Sequence, residues 1–335
     1  SMPMLVGKTA YGVGGLRLVS IDLERGGVRW ATDLATTLPS AAFGAAGLRR
    51  NEDAGAQMSG SMFEDVAALA FVPSGGVEGA AGREGVVVTA VHDGAARNGP
   101  SAEALIGLDA KTGSVRWSVA VESLDRAMGE GVLVRAPAMV SGSTVVVGLR
   151  KAQLDRRLNA LYMVGLDAFS GRRLWSVSIG SAGVLPYSRS VVPADGGVVR
   201  EGVVYRADRI GVVFAIAAHD GRVLWARRGS AEPLDNNIAA VIPPYKFAVP
   251  IVHGEHVFVM SADRRSLLRF GLRDGSPAGS IRSEWLTSAF GLPQYIVATA
   301  TTLGAVGDTR VGLLKFADFE AVAGMSAKAI VDVQA

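Results

Sequence analysis

Leu105–Trp117 reads LIGLDAKTGSVRW, and the chain writes this frame more than once. An alternating apolar run ends at Asp109, a Thr-Gly turn follows at Thr112-Gly113, and a second short run ends at Trp117. The pattern predicts a β-hairpin. The Asp109 carboxylate is placed to accept hydrogen bonds from backbone N–H groups of the turn, and Gly113 to take the positive φ that the turn needs. Trp117 adds a large apolar plate at a fixed offset. LVSIDLERGGVRW repeats the frame up to Trp30, with Asp22 at the Asp position. MVGLDAFSGRRLW repeats it up to Trp175, with Asp167 and Gly171. In a looser copy, VFAIAAHDGRVLW, Asp220-Gly221 makes the turn, Ala217 replaces the Asp and Trp225 closes the frame. A degraded copy, LLRFGLRDGSPAG, keeps Asp274-Gly275 and has Gly279 where the Trp belongs.

Short strands recurring at a period of about 40–50 residues describe a propeller or a solenoid rather than one mixed sheet. The Asp–Gly–Trp frame resembles the repeat of the PQQ-like β-propellers, the tryptophan-docking motif of quinoprotein dehydrogenases and their non-catalytic relatives. The resemblance implies that each repeat is one four-stranded blade and that Asp22, Trp30, Asp109, Gly113, Trp117, Asp167, Gly171, Trp175, Gly221 and Trp225 hold blades together. The expected fold is all-β: a β-propeller of four-stranded antiparallel blades, six recognisable and six to eight possible. Residues 1–335 are expected to form one domain. The long interval from Trp30 to Trp117 then carries an insertion or a further blade. Residues 35–60, rich in Ala, Gly and Ser, read as that surface insertion.

Hydrophobic residues make up 49% of the 335 and charged residues 19%, which describes a folded chain with a sizeable core. The formal net charge is +3 with no run of Lys and Arg, so no nucleic-acid partner is expected. There is no cysteine, which excludes disulfides, thiolate zinc sites and cysteine nucleophiles. No apolar run approaches the ~18–20 residues of a membrane span. Ser1-Met2 reads as an expression scar joined directly to a strand pattern, and the chain is expected to be cut from a longer protein.

Along the chain, residues 4–13 and 16–22 read as strands around Gly14-Gly15, and 65–72 and 86–91 as the next. Residues 122–130 read as a short helix, and 136–140 and 144–148 as strands. Residues 150–159 read as a charged insertion of helical character. Further strands are expected at 188–193, 202–207, 212–217 and 222–227, then at 247–252, 256–260 and 266–272 with a weak fourth. Residues 295–301, 303–306 and 311–316 follow. The alternating tail 327–333 is expected to close the ring by pairing near Leu5 and Thr9.

His253 and His256 form an H-x-x-H pair with Glu255 between them, which invites a metal reading. The pair sits on a predicted hairpin around Gly254 rather than on a helix, so the spacing does not put both rings on one helical face. Asp109–Gly113 resembles the start of a calcium loop, but Lys111 stands where an oxygen ligand is needed and no downstream Glu follows. Nucleotide-binding and nucleophile-elbow motifs do not occur. The related quinone enzymes hold calcium through Glu, Asn and Asp, and many carry a vicinal disulfide. This chain has no cysteine, and Asn236-Asn237 is the only fragment of such a site on offer.

Arg135, Tyr187, Arg189, Tyr245, Lys246 and Tyr295 stand at the starts of the predicted innermost strands, with Arg206 and Arg209 after a second strand. Their recurrence describes a recognition patch around the mouth of a central channel. Single Tyr and Arg residues at strand ends also bury apolar stems and keep polar tips wet, with no partner involved. The functional expectation is a non-enzymatic scaffold for a protein or other macromolecular partner, without a cofactor and monomeric. The resemblance extends to the propeller subunit of the outer-membrane barrel assembly machinery, and so implies the periplasm or cell envelope. A PQQ-dependent oxidoreductase and a channel-binding glycan or small-ligand sensor are the alternatives.

Overall fold

The computed structural model describes residues 3–14, 17–37, 69–74, 85–92, 103–125, 128, 132–134, 138–153, 158–183, 196–208, 211–228, 249–260, 266–282, 295–298, 302–306, 311–315 and 331–333. Among them there is no α-helix, only strands and short 3-10 turns. The strands form antiparallel sheets, each built from strands consecutive in the chain. The first holds β1 (Met4–Val6), β2 (Thr9–Gly14), β3 (Arg17–Asp22) and β4 (Gly27–Asp33). The second holds β5 (Ala70–Pro73), β6 (Gly85–His92), β7 (Glu103–Asp109) and β8 (Val115–Ala120). In the third, β9 (Val132–Val134) and β10 (Met139–Ser141) both pair with β11 (Thr144–Gln153), followed by β12 (Leu158–Asp167) and β13 (Arg173–Gly183).

The fourth comprises β14 (Gly197–Arg200), β15 (Val203–Asp208), β16 (Val212–Ala217) and β17 (Val223–Arg228). The fifth comprises β18 (Ile251–His253), β19 (His256–Met260), β20 (Ser266–Gly271) and β21 (Pro277–Arg282). The sixth comprises β22 (Tyr295–Ala298), β23 (Thr302–Val306), β24 (Val311–Lys315) and β25 (Val331–Val333). Five of these sheets have four strands and the third has five, and they are the antiparallel blades of a β-propeller, as the repeat implies. The chain divides into two compact units, Ser1–Ser181 with Ala218–Gly221, and Ala182–Ala217 with Arg222–Ala335.

Residues paired across an antiparallel ladder point to the same side, so each sheet carries one row of side chains per face. In the first sheet Met4, Tyr11, Ser20 and Trp30 form one row. Its apolar members pack on Phe71, Val87 and Leu108, the row across the second sheet. The Tyr11 and Phe71 rings stack with centroids 6.2 Å apart. The opposite row of the second sheet, with Ala70, Val88 and Trp117, packs on Val145 and Leu166 of the third. Within the second unit, Tyr205, Ala215 and Trp225 of the fourth sheet meet Val257 and Phe270 of the fifth. A middle sheet is therefore apolar on both faces, which is why runs such as Val86–Val88 are apolar without alternating. Each Val or Leu so buried contributes about 1.5–3 kcal/mol.

Several expected strands are corrected. The run 4–13 is broken at Gly7-Lys8, where Val6 pairs back on Thr9 and Gly7 has φ +55°. The described part of the charged segment 150–159 is strand and not helix. Arg150–Gln153 and Leu158–Asn159 continue β11 and β12 in register, with Gln153 opposite Leu158, because backbone pairing overrides the helical propensity of the side chains. Residues 188–193 lie outside the described residues, and the first strand of the fourth sheet is Gly197–Arg200. Where the sequence predicts a helix at 122–130, the described residues hold only a 3-10 turn at Val121–Ser123. The described part of the tail, Val331–Val333, pairs with Leu313–Val311 and not near Leu5 or Thr9, completing its own sheet as a fourth strand. Leu5 and Thr9 find their partners in Ala10 and Val6 instead. The segment 38–68, with most of the predicted insertion, lies outside the described residues.

Candidate functional site

The recurring turn is built by its aspartate. Asp109 Oδ1 accepts hydrogen bonds from the N–H groups of Lys111 and Thr112, both at 2.9 Å, and Oδ2 accepts from Arg116 Nη2 at 2.6 Å. Asp167 does the same for Phe169 and Ser170, and Asp22 for Glu24, Arg25 and Arg29. The Arg29 guanidinium and the Arg25 N–H hold the Asp22 carboxyl at about 2. Burial pushes Asp109 up, but Arg116 and the turn N–H groups outweigh it and leave the group below the usual carboxylate range. Gly113 closes the loop with φ +74°, its N–H donating to Asp109 O at 2.8 Å. In the fourth sheet Ala217 has no carboxylate to offer, and its N–H donates to Arg222 O at 3.0 Å.

Each tryptophan leaves its own hairpin and lands on the next. Trp30 Nε1 donates to Ala110 O at 3.0 Å, and Trp117 Nε1 to Ala168 O at 2.8 Å. Trp175 Nε1 reaches Ala218 O at 2.9 Å, and Trp225 Nε1 reaches Leu272 O at 3.0 Å. In every case the acceptor lies just after the Asp position of the receiving turn, and the indole covers the turn glycine. A Cβ added at Gly113, Gly171, Gly221 or Gly275 would stand 2.5–2.6 Å from the incoming ring. Two residues beyond the Trp, Thr32 Oγ1 donates to Gly113 O at 2.7 Å and Arg227 Nε to Gly275 O at 3.1 Å.

Sequence reading missed a second glycine beneath the indole. Gly107 lies opposite Trp117, and a Cβ there would meet Trp117 Cε2 at 2.2 Å; Gly165 stands in the same relation to Trp175. The signal was present as the G-L-D triplet before both best turns. It also explains the degraded copy. There Arg269 pairs opposite Gly279, so the large and small partners have exchanged strands. The Arg269 guanidinium donates to Ala278 O through Nε at 3.0 Å and Nη2 at 2.6 Å, on the strand that carries an indole elsewhere.

The predicted partner face is described only in part. Arg135, Tyr187, Arg189, Arg209, Tyr245 and Lys246 lie outside the described residues, and Tyr295 opens β22 with only its backbone described. Arg206 is corrected. It is fully buried within β15, with Nη2 3.1 Å from Asp208 Oδ2, and so belongs to no surface patch. Strand alternation alone does not distinguish an inward from an outward arginine in a sheet packed on both faces. His253 pairs directly with His256 across the β18–β19 hairpin. Among the described residues no three His, Asp or Glu side chains come together as metal ligands. Asn236-Asn237 lies outside them. No helix among the described residues is long and apolar enough to cross a membrane.

The sequence profile of the family described as outer membrane protein assembly factor BamB matches residues 1–184 and 162–285. No curated protein matches the chain. Among solved structures, BamB from Moraxella catarrhalis is similar with a TM-score of 0.55 and 14% identity, over 98% of this chain and 74% of that one. The computationally designed Ika8 protein is similar with a TM-score of 0.51 and 12% identity, over 93% and 70%. A quinohemoprotein alcohol dehydrogenase from Comamonas testosteroni follows with a TM-score of 0.48 and 13% identity, over 84% and 42%. Likeness at such identities speaks to fold and not to activity. The profile match spans most of the chain, and the repeated Asp–Gly–Trp turns and four-stranded sheets accord with it: this PQQ-like β-propeller belongs to the outer membrane protein assembly factor BamB family.

Proposed function

We propose that the chain is a non-catalytic scaffold of the cell envelope that holds a protein partner in outer-membrane protein assembly. The observation that carries this reading is the family match over residues 1–184 and 162–285, whose description names an assembly factor. The architecture supports it. The repeated polar groups of the described turns, Asp22, Asp109 and Asp167, are engaged in holding their own hairpins. The repeated aromatic plates are engaged in docking. The residues proposed to contact the partner are Arg135, Tyr187, Arg189, Arg209, Tyr245, Lys246 and Tyr295.

The opposing reading is quinone-dependent oxidation, and it is tested directly. The purified chain is loaded with PQQ and calcium and assayed for dye reduction with a panel of alcohols and aldoses. The expected result is no turnover above that of the cofactor alone. Substrate-dependent reduction that requires the protein would overturn the scaffold reading.

A further inference from the structure

The H-x-x-H pair sits on the fifth sheet in a way that its spacing alone does not disclose. His253 ends β18 and His256 begins β19, with Gly254 and Glu255 as the two-residue turn between them. The register pairs His253 directly with His256, so both side chains leave the same face of the sheet. Directly opposed residues of an antiparallel pair have Cβ atoms about 4.5–5.5 Å apart. Val252, Val257 and Phe270 point to the other face and pack on the fourth sheet, which fixes the face that the two imidazoles take.

The turn that carries the pair is pinned through both of its carbonyls. Arg200 Nη1, from the fourth sheet, donates to Gly254 O at 3.0 Å, and Leu272 N donates to Glu255 O at 2.8 Å. Gly254 has φ +55°, the left-handed conformation that a tight hairpin asks for. One step along the same face lie Ile251 and Phe258. Phe258 is buried, and its ring centroid lies 6.4 Å from that of His256. Both histidines are themselves half-buried. The next position in their row is Gly271, opposite His256. A Cβ built there would stand 2.7 Å from Asp274 Oδ1, so a carboxylate occupies the same face. The Ser276 N–H donates to that oxygen at 2.9 Å and holds the Asp274 carboxyl below the usual carboxylate range. The two arginines nearby face carboxylates, Arg273 Nε at 3.4 Å from Glu255 Oε2 and Arg200 Nε at 3.5 Å from Glu201 Oε1.

We propose that His253 and His256 form a two-imidazole chelate for a divalent transition ion of the Zn2+ or Cu2+ class, at the tip of the β18–β19 hairpin. The proposal goes beyond the scaffold reading and does not depend on it. Tetrahedral zinc with Zn–N bonds near 2.0–2.1 Å holds two ring nitrogens about 3.3 Å apart, which imidazoles rooted one cross-strand pair apart reach by leaning together. Each ring gives one nitrogen to the ion and keeps the other for the hydrogen bond that orients it. Two neutral nitrogen donors suit Zn2+, and Cu2+ more tightly still, whereas Mg2+ and Ca2+ take oxygen ligands. Asp274 adds negative charge beside the site without being a ligand, and water completes the coordination. Because the turn is already held at Gly254 and Glu255, little ordering is left for the ion to impose.

The test is calorimetric titration of the full chain with Zn2+ and, separately, Cu2+, in a buffer that does not bind metals. His253→Asn and His256→Asn are titrated alongside, with a double variant His92→Asn and His219→Asn that leaves the pair intact. The expected result is one ion per chain, bound equally by the parent and the double variant. The second imidazole binds within the same molecule, so either Asn variant of the pair should lose about a hundredfold or more in affinity. Mg2+ and Ca2+ should give no binding heat. No binding of either ion by the parent, unchanged affinity in His253→Asn or His256→Asn, or loss in the double variant overturns the site. Should the Asn variants not fold by circular dichroism, substoichiometric Cu2+ on the parent decides. Paramagnetic broadening that begins at the amides of Val252–Val257 supports the chelate, and broadening centred elsewhere overturns it.

Discussion

Trp117→Ala is expected to destabilise the protein by on the order of 3–5 kcal/mol, the range for removing a buried aromatic side chain. The residue is 7% exposed, and its loss removes more than apolar area. The ring bridges Gly107 on its own sheet and Gly171 on the next turn, so truncation empties a slot walled by backbone that does not collapse easily. It also strips the Ala168 carbonyl of its donor at 2.8 Å. Thermal melting followed by near-ultraviolet circular dichroism measures the effect. A variant melting within a degree or two of the parent shows that the indole is not a structural link between sheets.

Gly107→Val should be as damaging, although it adds atoms instead of removing them. The new Cβ falls 2.2 Å from Trp117 Cε2 and 2.3 Å from Nε1, well inside contact distance. No rotamer of valine avoids this, because Cβ is fixed by the backbone. The indole must leave its slot, so the variant forfeits the packing and the hydrogen bond together and adds strain of its own. The loss expected is again about 3–5 kcal/mol. The two substitutions share one cause, so their effects should not add: Gly107→Val in the Trp117→Ala background should cost far less than alone. A double variant whose losses sum would show that Gly107 and Trp117 act independently.

Much of the fold was legible because the chain repeats a turn whose residues each have one physical task. Asp caps the loop, Gly bends it, and Trp reports which strand lies outermost. β19 was legible residue for residue at 256–260, since its ends are marked by Gly254 and a polar stretch. What failed has equally specific causes. Arg150 and Lys151 suggested a helix, but ten-residue pairing between β11 and β12 decided the conformation. Arg206 looked like a surface residue because nothing in a local pattern announces an Asp208 partner in a sheet buried on both sides. The tail was assigned to the first sheet on the logic of closure. Its described residues, Val331–Val333, lie in the sixth, paired with β24. Gly279 was read as decay, whereas opposite Arg269 it is half of an exchange of large and small residues. Only pairing register makes that visible.

The central claim is that the molecule works by holding another protein. It is tested by immobilising the full chain and exposing it to envelope extract from its source organism, with a column carrying Arg135→Glu and Arg189→Glu in parallel. The account predicts that a defined protein is retained by the parent chain through moderate salt, and that the charge-reversed chain, folded by circular dichroism, retains much less of it. Retention by the parent of nothing beyond what a column of unfolded chain retains would contradict the account.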